Sequence, residues 1–266
     1  MSKIRTTELC CPACGHLWQA ILFDSVNATR LLHVTDQILD GTFERERCPE
    51  CEEALQPEHD LLYSDLARGL WVVMRPPATR EALERIEETV LSVFGATFDS
   101  APPIVRAHLT DVIPRLVFGQ RELRECLTVE RLGVPAALVE CAKLRMFREL
   151  LPELATLGPT HLLSEGVVHD GADARFVAIR AADGGPAGVV HLPMTALGEL
   201  AEQESEYRAR YPALFERPYV SMRRLCYVAC PVPPFWAARC AGHGNTPESV
   251  HPSGVRNSSY ASFAQH

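Results

Sequence analysis

Cys11-Pro12-Ala13-Cys14 and Cys48-Pro49-Glu50-Cys51 each set two thiols on one tight turn. A tetrahedral zinc ion takes four thiolates, and two such turns supply them as two halves of one site. Pro12 and Pro49 preset φ near about −65° and remove donors that would compete. Gly15 suits the left-handed conformation that closes such a turn. Glu52 follows the second pair where glycine would be easier, so local strain is expected there. Cys10 precedes Cys11, but the two-residue spacing selects Cys11 and leaves Cys10 a bystander thiol. The expected ligands are therefore Cys11, Cys14, Cys48 and Cys51, and the expected cofactor is Zn2+.

Two other chemistries of paired cysteines fit less well. A redox dithiol shows a single pair beside a βαβ pattern, and here there are two matched pairs. Catalytic zinc usually keeps one ligand position open, and four cysteines close it. A closed site supplies on the order of 10–16 kcal/mol of apparent binding energy to folding. Lys3, Arg5, Arg45 and Arg47 lie near the pairs in sequence and offset the charge of a four-thiolate zinc centre.

The elements that must carry these turns follow from periodicity. Trp18–Phe23 reads as a strand, and Asp24-Ser25-Val26-Asn27 as a turn or cap. Leu31, Val34 and Ile38 share one face of a helix over residues 30–40, and Gly41 ends it. Thr42–Arg47 returns as a short strand, and Gly69–Met74 is a stronger one. An amphipathic helix spans residues 78–98, with Leu83, Ile86, Val90, Val93 and Phe94 on its apolar side. A strand over 115–118, a helix over 120–127 and a helix from Pro135 to about residue 150 come next.

The ordered set Cys11-Pro-x-Cys14-Gly15, Asp24-Ser25-Val26-Asn27, Cys48-Pro-x-Cys51 and Leu61-Leu62-Tyr63-Ser64-Asp65 resembles the CpXC protein family of bacteria and archaea. Arg115–Gly119, Glu122–Glu125 and Gly133–Lys143 extend the resemblance, which covers residues 8–160 well and 161–210 loosely. Glu52 replaces the usual glycine, and Val134-Pro135-Ala136 stands where an acidic, polar run is expected. The resemblance implies the metal site and no particular activity.

From His161 the pattern changes to three strands, His161–His169, Ala174–Ala182 and Gly188–Leu192, joined by Asp170-Gly171 and Asp183–Pro186. An antiparallel meander is expected, then a helix from Thr195 to about Tyr211. His161, His169 and His191 fall on these strands without a ligand spacing, so they read as polar sheet residues rather than a second metal site. Cys126 and Cys141 read as core thiols. Residues 231–266 lose hydrophobic periodicity and are expected to be disordered, with Cys226, Cys230, Cys240, His243 and His251 incidental to it.

The expected class is α+β: an N-terminal zinc ribbon with an inserted helix, a central helical segment, and a C-terminal antiparallel sheet plus helix. The expected division is 1–76, 77–160, 161–230 and a tail 231–266. Net charge is −8, and successive thirds of the chain carry −5, −2 and −1. That argues against a general grip on nucleic-acid backbones. No apolar run approaches a membrane span. The polar stretch Met1–Glu8 is no export signal, so ten cysteines read as reduced thiols in a cytoplasm.

No P-loop, G-x-S-x-G elbow or H-E-x-x-H motif occurs, so no catalytic residue is assigned. The leading reading is a zinc-organised module that docks on a protein partner. A second is an enzyme of unassigned chemistry, sited between ribbon and helical part and using Asp24, Asn27, Tyr63 or Asp65. A third is a nucleic-acid-associated ribbon, and a fourth a thiol sensor that uses Cys10.

Overall fold

A computed structural model describes residues 2–103, 106, 112–150, 160–180 and 184–228. The fold is α+β, and its described residues fall into two compact units: Met1–Leu127 with Arg217–Tyr219, and Thr128–Glu216 with Val220–Val228. The expected disordered tail and its cysteines and histidines from residue 230 on lie outside the described residues.

The first unit is built on five strands: β1 (Lys3–Cys10), β2 (Leu17–Asn27), β5 (Leu61–Asp65), β6 (Leu70–Arg75) and β7 (Ile113–Phe118), side by side in that order. β1 and β2 form an antiparallel hairpin, and the first cysteine turn is its loop. β2 pairs with β5 in parallel, and so does β6 with β7. A small ladder, β3 (Glu46–Arg47) with β4 (Ala54–Leu55), carries the second cysteine turn.

Alternation in β6 divides the unit's apolar interior. Val72 and Met74 face one side, where Val34 and Ile38 of helix α1 (Leu32–Asp40) and Leu123 and Leu127 of helix α3 (Gln120–Arg131) cover them. Trp71 faces the other side, against Leu83, Ile86 and Val90 of helix α2 (Leu83–Asp99) and against Tyr219. Gly41 ends α1 at φ 78°, and its amide and that of Thr42 return to carbonyls of the last turn.

Several local expectations are corrected. Residues 24–27 are not a turn, because Ser25, Val26 and Asn27 are held in β2 by parallel pairing to Leu62, Tyr63 and Ser64. β1, polar by composition, is a strand because the cysteine turn folds it back on β2. Residues 77–82 form a 3₁₀ segment rather than the first turn of the long helix, since Pro76 and Pro77 withhold donors there.

In the second unit, β8 (Thr160–Val168), β9 (Asp173–Arg180) and β10 (Pro186–Pro193) form the expected meander, with β9 central. Its inner face presents Ala174, Phe176 and Ala178 to α4 (Ala136–Arg145) and α5 (Met194–Glu202). Helices α6 (Glu204–Arg210), α7 (Pro212–Glu216) and α8 (Met222–Val228) follow. The expected single helix to Tyr211 is thus broken at Gln203, and Thr195 does not cap it; Pro193 precedes its first turn. Among the described residues, no helix is long and apolar enough to cross a membrane.

Candidate metal centre

The two cysteine turns are folded alike. In the first, the Cys11 amide donates to the His16 carbonyl and the Gly15 amide to the Cys11 carbonyl, both at 2.9 Å. In the second, the Cys48 amide donates to the Glu53 carbonyl and the Glu52 amide to the Cys48 carbonyl, again at 2.9 Å. Gly15 and Glu52 occupy the same place, at φ 75° and 59°. The strain expected at Glu52 is therefore present: a side-chain-bearing residue adopts the conformation its twin fills with glycine.

The turns bring all four sulfurs within 4.8 Å of one another. Cys11 Sγ lies 3.5 Å from Cys51 Sγ, and Cys14 Sγ 3.6 Å from Cys48 Sγ. These contacts cross between the turns, and the thiols are unbonded. Four thiolates bound at about 2.3 Å around a tetrahedral centre are about 3.8 Å apart, so the arrangement is close to that of a loaded site. Cys11 and Cys48 are buried, while Cys14 and Cys51 face outward. Cys10 is exposed, its sulfur 3.9 Å from the carbonyls of Cys11 and Gly15, and it stands outside the four.

Electrostatics within the set are uneven. The Cys14 amide at the Cys11 sulfur outweighs burial and lowers that thiol to about 7. The Glu53 amide favours a Cys51 thiolate, yet the neighbouring Cys14 and Cys11 sulfurs push Cys51 up to about 12. Sulfurs this close cannot all carry charge on their own. A divalent cation at their centre reverses that, and the geometry is compatible with a metal site.

Asp24 is held by Lys3 at 3.1 Å and Arg5 at 3.3 Å. Tyr63 is buried with its hydroxyl 2.9 Å from that of Thr35, and burial raises its pKa. Asp65 pairs with Arg68 at 3.7 Å, and Asn27 Oδ1 is buried without a hydrogen-bond partner. Of the aromatics, Trp71 is in the core, Phe23 stacks on Phe43 at 5.8 Å, and half-buried Trp18 lies against His16.

Composition and spacing gave no sign of a second polar cluster in this unit. His59 Nε2 lies 2.6 Å from a Glu44 oxygen, and His59 Nδ1 donates to the Asp60 carbonyl at 2.9 Å. Both ring nitrogens thus face acceptors, which is the pattern of an imidazolium. Burial opposes that charge, but the Glu44 carboxylate outweighs it and the His59 pKa is raised. Glu44 also accepts from the Phe23 amide at 2.6 Å, and Glu58 accepts from the Gln120 amide at 3.1 Å. Glu58 so caps the positive end of α3. Only its histidine marks this cluster in the sequence, since Phe23, Glu44, Glu58–Asp60 and Gln120 come from four separate segments.

Cys141 is a core thiol pushed up to about 12 by burial, and Cys126 is half-buried beside the α1 core. A family model described as CpXC protein matches residues 9–143 of the 266. No curated protein and no solved structure matches the chain.

Proposed function

This chain belongs to the CpXC protein family, and from that premise we propose that Cys11, Cys14, Cys48 and Cys51 hold one structural Zn2+ in a module that docks on a protein partner. The observation that carries the metal half is the four-sulfur set, closed by donors of one kind at near-tetrahedral spacing. Zinc suits it because a d¹⁰ ion accepts four thiolates in a tetrahedron without redox cost. The ion cross-links the loop of the β1–β2 hairpin to the β3–β4 ladder, which has only two residues per strand to hold it. Cys10, Cys11, Cys14, Cys48, Cys51, Cys126 and Cys141 are free thiols, which suits a reducing cytoplasm.

The docking half rests on the same hairpin. Ile4, Leu17 and Ile21 lie on one face of it and are 55%, 54% and 61% exposed. Large apolar residues grouped on one strand pair favour a partner that brings its own apolar surface. β1 is also the outer strand of the sheet order, open to strand addition by such a partner.

One set of variants tests both halves. Cys48→Ser is expected to lose the thiolate-bound metal and Cys10→Ser to keep it, read by elemental analysis. Ile4→Ser/Ile21→Ser is expected to keep the metal and release proteins that co-purify with the wild type. Full metal content in Cys48→Ser refutes the first half. An unchanged set of co-purifying proteins refutes the second.

A further inference from the structure

We propose that His169, Asp173 and His191 form a second, open metal site that takes a borderline divalent transition-metal ion of the zinc class. All three lie in the second unit, and none belongs to the four-cysteine set.

The meander builds this site at one end of its outer face. Asp173 opens β9 and pairs with Val168 on one side and Pro193 on the other. Ala174 and Phe176 point into the core, so Asp173 and Arg175 point outward. His191 is the cross-strand partner of Arg175 on β10, one pleat from Asp173 on the same face. His169 approaches from the β8–β9 turn, where it and Asp170 both adopt left-handed backbone at φ 52° and 54°. That turn folds the His169 ring back over the sheet.

The result is a three-way convergence. His169 Nδ1 is 2.8 Å from Asp173 Oδ2, and the two imidazole rings are 5.2 Å apart. One donor atom from each residue lies within 4.8 Å of the other two. An exposed His–Asp pair needs only two partners and does not call for the second histidine. Nitrogen and oxygen ligands at about 2.0–2.2 Å from a tetrahedral ion are about 3.4 Å apart. Closing on an ion therefore takes a shift of about an ångström. The side chains of His169 and Asp173 are 60% and 25% exposed, so little packing resists it.

The donor set selects the ion. Two imidazoles and one carboxylate suit zinc, cobalt or nickel, whereas calcium and magnesium want oxygen throughout. Arg175 is the nearest cation by register, and Glu165 engages it at 3.1 Å across the sheet. Three protein donors leave at least one coordination position for water or a ligand, unlike the closed sulfur set. His161, the third histidine of the meander, does not join. It pairs with Ile179 at the far end of the sheet, and its Nδ1 lies 3.3 Å from Arg223.

The test is a Co2+ titration of the untagged full chain, followed by absorbance. Binding to four thiolates gives intense charge-transfer bands, whereas nitrogen and oxygen ligands give only weak visible bands. The wild type is expected to take a second equivalent after the thiolate bands saturate. His191→Ala and Asp173→Asn are each expected to weaken that equivalent by more than the about 10- to 100-fold that outer-shell changes cost. Their thiolate bands are expected to stay intact, which shows that the chain remains folded at the other site. Saturation at one equivalent in the wild type overturns the proposal, as does a second equivalent that both variants bind like the wild type.

Discussion

Exchanging the residues that close the two cysteine turns is a direct probe of their equivalence. Glu52 at φ 59° and Gly15 at φ 75° are counterparts, and only Glu52 bears a side chain. Left-handed backbone costs such a residue about 1–2 kcal/mol. Glycine relieves that but leaves the unfolded chain freer, which returns about 0.5–1 kcal/mol. Glu52→Gly is therefore expected to stabilise the metal-bound state by about 0.5–1 kcal/mol, or about two- to fivefold in metal retention. Gly15→Ala is its mirror image. A Cβ added at Gly15 meets nothing within 4 Å, so only backbone strain acts, and retention falls by a similar factor. Glu52→Gln separates charge from backbone: it removes the carboxylate beside a four-thiolate centre yet keeps the strain. Competition for zinc against a chromophoric chelator reads all three, and thermal melts should shift by about 1–4 °C in the same order. If Glu52→Gly holds zinc more weakly than the wild type, or if Glu52→Gln reproduces its full gain, the equivalence argument is refuted.

Two further outcomes follow from the first unit. His59→Gln leaves the Glu44 carboxylate without its cation and is expected to cost about 1–3 kcal/mol near pH 6. Because the folded-state pKa of His59 is raised, its contribution is complete below the unfolded value of about 6.5 and is lost as pH rises through the folded value. The gap between wild type and variant in urea melts should therefore narrow toward pH 9, and a gap constant with pH counts against the charged pair. Trp71→Ala removes a 4% exposed ring that meets Phe94 edge-on at 5.3 Å, with an expected loss of about 3–5 kcal/mol. A loss below about 1 kcal/mol means that this side of the sheet is not the packed layer described.

Sequence alone determined whatever depends on neighbours along the chain. A Cys-Pro-x-Cys turn, a glycine that ends α1, and three strands with tight turns each record their conformation within a few residues, because the hydrogen bonds that define them are local. The same locality made the strain at Glu52 visible, since the first turn shows what its closing position requires. Tertiary structure decided what joins distant segments. Asp24–Asn27 has turn-like composition, and only parallel pairing to β5 makes it strand. His59 meets Glu44, and His191 meets Asp173, through sheet register and loop return that no spacing rule encodes. Local conformation is set by each residue's own dihedral preferences, whereas which side chains share a site depends on how whole elements bury their apolar faces, and that choice is made only when the sheet is assembled.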